Sequence, residues 1–284
     1  MTTQPAPNSA TLKKRRLGRT GLLVTEVGVG GANLTADGAG EETLLAAFAL
    51  GVNFVETGRA YKGSEYLIGG ALAQSPNRSD VHVASKTLAR SRDGALNDLE
   101  RSLQHLRLHT IDVYQLNSVG REDVPEVLAE GGALRGLHEA REQGLLRFIG
   151  ISSHSLGVLR WAIESGEFDS IQVKWGAFHS NSADVMRLAR ERDVGVIGMK
   201  PFGGFGMFGS LKGSEFQKAL SASALLRYAL ANRDLSVCIP GVRQPREVRE
   251  NVRIATSSAA LSVASEAHIA ERAAEFLKSM RSHR

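Results

Sequence analysis

At 284 residues, with 42% hydrophobic and 23% charged side chains, the chain is long enough for one large α/β domain and apolar enough to bury an ordinary core. A formal net charge of +5, spread along helical stretches beside acidic neighbours, argues against a nucleic-acid partner, and no run of about 18 apolar residues exists to span a membrane. The single cysteine, Cys238, sits in an apolar run, which excludes an intrachain disulfide and a cysteine-built metal site and suits a reducing, cytoplasmic setting.

Residues 1–10 (MTTQPAPNSA) are polar, lack the apolar segment of a secretion signal and read as a disordered tail. From 11 to 284 one domain is expected. KKRRLGRTGLLVTEV opens it with a β-hairpin turning around Gly18 to Gly21, and because the basic cluster runs straight into that hairpin it is not read as a targeting signal. EVGVG is the first barrel strand and 41–50 the first helix, with Leu44, Leu45 and Phe48 on one face. Strand 53–56 and helix 64–73 follow, then strand 81–85 and a helix whose Leu96, Leu99, Leu103 and Leu106 fall three or four apart. DVYQLN is the fourth strand, and Leu134, Leu137 and Ala140 mark the helix after it, capped at Gly144. FIGISS leads to a helix over Leu156, Leu159 and Ile163, and IQVK to one over Val185, Met186 and Leu188. VGVIGMK precedes a helix near 221–231, and SVCIPG precedes one starting at Pro245. A last helix spans about 264–281. Short, β-branched, unalternating strands are those buried on both faces. Their regular alternation with helices predicts an α/β fold, a (β/α)8 TIM barrel with an N-terminal β-hairpin.

That fold keeps its chemistry at the C-terminal ends of the strands. Glu56, Lys86 and Asn117 end the second, third and fourth, and Tyr61 stands five residues beyond Glu56 in the loop over the mouth. A lysine beside a tyrosine favours the phenolate and is expected to lower the phenol's pKa from about 10. A carboxylate pairs with the lysine, and the tyrosine can then donate a proton to a substrate oxygen.

RRLGRTGLLVTEVGVG, GVNFVETGRAYKGSEYLIGGAL, VASK, IDVYQLN, FIGISSHS, IQVKWGAF, GVIGMKPFGG and IPGVRQPREVRENV resemble, in order and over about residues 14–260, segments of the aldo-keto reductases. The resemblance implies reduction of a small-molecule aldehyde or ketone by NADPH (NADP+ in reverse) held on a barrel rather than a Rossmann fold. Tyr61 matches the general acid and Lys86 its lysine. Glu56 stands where aspartate is usual, and Asn117 where histidine is usual. Asparagine can orient a carbonyl but cannot relay a proton. Ser152, Ser153 and Gln172 match contacts to the nicotinamide carboxamide, and Trp175 stands near the ring that stacks on it. Gly30 and Gly31 would let the cofactor approach the backbone. Lys200 and Pro201 open the loop over the pyrophosphate. Gly241, Arg243, Arg246, Glu250 and Asn251 lie where the adenosine end binds, the arginines suiting a 2′-phosphate. Phe178, Phe202, Phe205, Met207 and Phe208 are expected to wall the substrate pocket on a mobile glycine-rich loop. Two other readings stay open: a non-redox lyase or isomerase with Glu56 as base, and a nicotinamide-sensing subunit with little catalysis. A monomer is the default expectation.

Overall fold

The computed structural model describes residues 11–36, 38–204, 206–257 and 260–282; the expected tail at 1–10 lies outside them. The predicted hairpin is there: β1 (Lys14–Arg16) and β2 (Leu23–Thr25) pair antiparallel around a 3-10 turn at Gly18–Thr20. Eight parallel strands follow, β3 (Val29–Gly30), β4 (Phe54–Glu56), β5 (His82–Thr87), β6 (Ile111–Leu116), β7 (Leu146–Ser152), β8 (Ser170–Lys174), β9 (Gly195–Met199) and β10 (Val237–Ile239), each bonded to its sequence neighbours. Bridges Val27–Cys238 and Gly30–Gly241 close the sheet into a barrel.

Helices α1 (Gly40–Ala49), α2 (Ser64–Gln74) and α3 (Arg92–Leu106) connect the first strands. The connection after β6 holds two helices rather than the one expected, a five-residue α4 (Val124–Leu128) opened by Pro125 and then α5 (Ala133–Glu142). The outer ring continues with α6 (Leu156–Ser165), α7 (Ala183–Glu191), a short α8 (Met207–Ser210), α9 (Ala222–Ala231), α10 (Pro245–Thr256) and α11 (Val263–Ser282). Among the described residues no helix is long and apolar enough to cross a membrane.

Strand alternation divides the core in two. Outward residues such as Val55, Val83, Tyr114 and Val173 pack under the helices. Inward residues Phe54, Ala84, Val113, Ile197 and Val237 fill the barrel together with Leu17, Leu22 and Val24 of the hairpin, which plugs its N-terminal end. Gly18, at φ +49, fits that plug because a Cβ there would lie 2.2 Å from the Gly195 amide. The two arginines of the basic cluster serve this closure. Arg15 bonds Glu26 and the carbonyls of Leu230, Asn232 and Leu235, and Arg16 pairs with Asp193. Cys238 is a buried strand residue, its thiol pushed up by burial to about 12 and therefore unreactive.

Candidate active site

Above the apolar layers the barrel interior turns polar. Glu56 at the end of β4 and Lys86 on β5 are 2% and 1% exposed. The Lys86 ammonium donates to Glu56 Oε1 and to the Thr57 carbonyl (2.6 Å). The same Glu56 oxygen accepts from the Tyr61 hydroxyl (3.5 Å) and from the Gln172 amide (3.0 Å), while Gln172 Oε1 accepts from Gln115 (2.9 Å). Two expected catalytic residues, Tyr61 and Lys86, thus converge on one oxygen of a third, Glu56, and Gln172, expected at the cofactor, joins them from β8. Burial pushes the Lys86 ammonium well below the usual lysine range, against the pull of its two acceptors.

Tyr61 departs from expectation. Lys86 Nζ lies 4.5 Å from the centre of its ring, yet the phenol is raised, not lowered, by its burial. A raised phenol stays protonated at neutral pH, the form a proton donor needs. The loop carrying it is tied to β5: Arg59 N donates to the Lys86 carbonyl and Tyr61 N to that of Gly58. Gly58 leaves room for the lysine, since a Cβ would sit 3.3 Å from the Lys86 Cβ.

Arg59 is a residue that the sequence did not single out. Its guanidinium donates to Glu65 Oε2 of α2 (2.5 Å), meets His105 Nδ1 of α3 (2.9 Å) and faces Asp98 at 3.7 Å. Glu65, 2% exposed, also accepts from Ser85 (2.7 Å). Arg59→Ala leaves that buried carboxylate short of its cation and is expected to cost ~2 kcal/mol in a urea melt. An unchanged midpoint would show that the network carries no stability.

Asn117 follows the end of β6, two residues beyond inward Gln115 and ~7 Å nearer the mouth. Its Oδ1 accepts from Ser118 (3.4 Å), and its carbonyl accepts from Arg90 (2.9 Å), which Asp123 holds at 3.0 Å. Its side chain makes no hydrogen bond to Tyr61 or Lys86 among the described residues.

Of the expected cofactor residues, Ser152 is buried on β7 in register with Gln172. Ser153 spends its hydroxyl on the Val119 carbonyl (2.6 Å). Lys200 follows β9 in the left-handed region at φ +61, with Nζ 3.4 Å from His154 Nε2, and Pro201 is buried beside it. Gly30 and Gly31 are explained by packing: a Cβ on Gly31 would lie 2.6 Å from both the Glu56 carbonyl and Ser64 Oγ, and one on Gly30 would lie 3.0 Å from the Ile239 carbonyl. Gly241, Arg243, Arg246 and Glu250 are exposed where β10 passes into α10, with Asn251 buried next to them.

Trp175 turns away from the mouth. Its Nε1 donates to the Ala229 carbonyl (2.9 Å) and its ring stacks on Tyr228 with centres 6.1 Å apart. The two-residue period sends Gln172 and Lys174 inward, Val173 and Trp175 outward. Met199, beside Gln172 at 3.6 Å, faces inward instead.

The aromatic pocket wall is also revised. Phe178 is buried against Phe276 of α11 (6.0 Å). Phe202 and Phe208 pack on each other at 5.3 Å, Met207 packs beside Phe178 in the cluster under α11, and Phe205 lies outside the described residues. The loop is pinned, His179 Nε2 meeting the Gly203 carbonyl at 3.3 Å. A cavity of about 310 Å³ opens elsewhere, between the loops after β6 and β7, lined by Ser118–Glu122 and Ser153–Ser155.

A family model described as "Aldo/keto reductase family" matches residues 26–222. L-galactose dehydrogenase of Arabidopsis thaliana is 26% identical over 86% of this chain and 88% of its own. Pyridoxal 4-dehydrogenase of Microbacterium luteolum is 23% identical over 84% and 92%. Among solved structures, the holo form of an aldo-keto reductase from Bacillus halodurans superposes with a TM-score of 0.79 at 23% identity, over 92% of this chain and 96% of that one.

Proposed function

The chain belongs to the aldo/keto reductase family, and from that premise we propose that it reduces a small aldehyde or ketone with NADPH, Tyr61 acting as general acid. The observation carrying this reading is the convergence of Tyr61, Lys86 and Gln172 on Glu56 at the open end of the barrel. Oxidoreductase relatives support the reaction class.

The residues present fit a nicotinamide dinucleotide. Among the described residues, the Lys174 and Lys200 ammoniums form no ion pair with a carboxylate, so their charge remains for phosphate oxygens. Ser152 and Gln172 stand side by side for a carboxamide, and Arg243 and Arg246 offer guanidinium forks for a 2′-phosphate. Bound NADPH supplies the hydride for the carbonyl carbon. The chain supplies the rest. Asn117 donates an amide N–H to fix the carbonyl oxygen, and Tyr61 passes its phenolic proton to that oxygen. The Lys86 ammonium, beneath the ring, stabilises the phenolate left behind.

Titration of nucleotide-free protein with NADPH and NADH, read by nucleotide fluorescence, tests the proposal; the Trp175 ring faces Tyr228, so it is not the probe. Saturable binding that favours NADPH, followed by carbonyl-dependent loss of absorbance at about 340 nm, is expected. Binding without turnover on any carbonyl would point to a sensor, and turnover without nucleotide would point to non-redox acid–base chemistry at Glu56.

A further inference from the structure

We propose that the substrate carries an anionic group, a carboxylate or phosphate, which docks in the cavity between the loops after β6 and β7; the inference rests on the reductase reading above and names its substrate class. The cavity begins at Ser118, the neighbour of Asn117, and so lies next to the residue assigned to hold the carbonyl. Its walls are polar and charged instead of aromatic: Ser118, Arg121, Glu122 and His154. Ser118 holds a left-handed backbone, φ +52, as does Lys200 across the mouth, φ +61.

The cation lining the cavity is uncommitted. Arg121 is exposed, and among the described residues its guanidinium makes no hydrogen bond or ion pair. Its Nη2 lies 3.9 Å from where a Gly157 side chain would begin, which places it over the first turn of α6. That turn, capped by Ser155, adds the positive end of a ten-residue helix. On the other wall His154 contacts the Lys200 ammonium at 3.4 Å. Burial, then Lys200 and Lys174, hold its imidazole down to about 4, so it is a neutral hydrogen-bonding partner in a field of cations. Lys174 points inward two residues beyond Gln172. Among the described residues Glu122 is the single carboxylate lining the cavity, and it is exposed. With the two lysines engaged by the cofactor, Arg121 and the positive end of α6 face one exposed glutamate and suit a ligand of opposite charge.

Two matched pairs of aldehydes test the idea on the NADPH-loaded protein: succinic semialdehyde against butanal, and glyceraldehyde 3-phosphate against glyceraldehyde. The charged member of one pair is expected to have the higher kcat/KM, and which pair it is separates carboxylate from phosphate. Arg121→Ala should lower kcat/KM for that compound by about 10- to 100-fold, mainly through KM. It should leave the neutral partner and the NADPH dissociation constant unchanged. Equal losses on charged and neutral compounds, or a weakened NADPH affinity, would overturn the proposal and give the cations to the cofactor. Calorimetric titration of the same protein with succinate and with inorganic phosphate gives a readout independent of turnover. Binding that Arg121→Ala abolishes, in a protein that oxidises no NADPH, would keep the anion site and remove the reductase reading. Absence of binding by both anions, with no preference for a charged aldehyde, would sink the inference.

Discussion

Tyr61→Phe is expected to lower kcat by about 10²- to 10⁴-fold, the range a positioned general acid contributes, with NADPH affinity within about twofold of the parent. The substitution keeps the ring over which Lys86 sits, 4.5 Å away, and removes one weak donor, at 3.5 Å, from Glu56. Fold and cofactor contacts therefore have no reason to change, and single-turnover reduction isolates the missing proton. The pH profile gives a second check. Tyr61 is held above its ordinary range of about 10 by burial, and a proton donor is lost as pH rises through its pKa. Loss of the phenolic proton should therefore not limit reduction between neutral pH and about pH 10, and a fall in rate within that window would report the Lys86 ammonium, which burial holds well below the usual lysine range. Asn117 adds no ionisation of its own near pH 6 to 7. Undiminished turnover in the phenylalanine variant would remove Tyr61 from the chemistry.

Lys86→Met should be the most destabilising single change at the site. It leaves the Glu56 carboxylate, 2% exposed, with only Gln172 and Tyr61 as donors. Breaking a buried ion pair from one side costs about 3–5 kcal/mol, so a drop in Tm on the order of 10 °C is expected for a chain of this length. Lys86→Met combined with Glu56→Gln removes both charges at similar volume and should recover most of that loss. Reductase activity should stay low in both variants, because the phenolate lacks its cation in each. Equal melting temperatures for the single and double variants would show that the stranded carboxylate is not the cause.

The strands were legible because they are largely buried on both faces and read as short apolar runs, and the residues ending those runs, Glu56 and Lys86, meet where a barrel directs them. Trp175 shows where that reading stops short. A strand end gives a position but not a direction; counting by twos from Gln172 would have sent Lys174 inward and Trp175 out to Tyr228 and Ala229. Gln115 could have been found in the same way, as a polar residue in phase with Asn117 within DVYQLN. Arg59 could not. Its partners Glu65, Asp98 and His105 belong to two helices, and only the docking of α2 and α3 brings them together. Phe178 was hidden for the same reason, since its burial depends on α11, nearly 100 residues away in the chain. The expected fall in the Tyr61 pKa counted a neighbouring charge but not the loss of water, a balance that spacing in a sequence does not carry.

The hairpin that stoppers the barrel with Leu17, Leu22 and Val24 also fixes how the protein can be handled. The described chain enters on the sealed side, opposite Tyr61 and the cavity beside Asn117. A fusion partner, affinity handle or surface linkage joined ahead of residue 11 attaches at the back of the molecule. Protein immobilised there should keep the same KM as in free solution, with the entrance presented outward to the bulk.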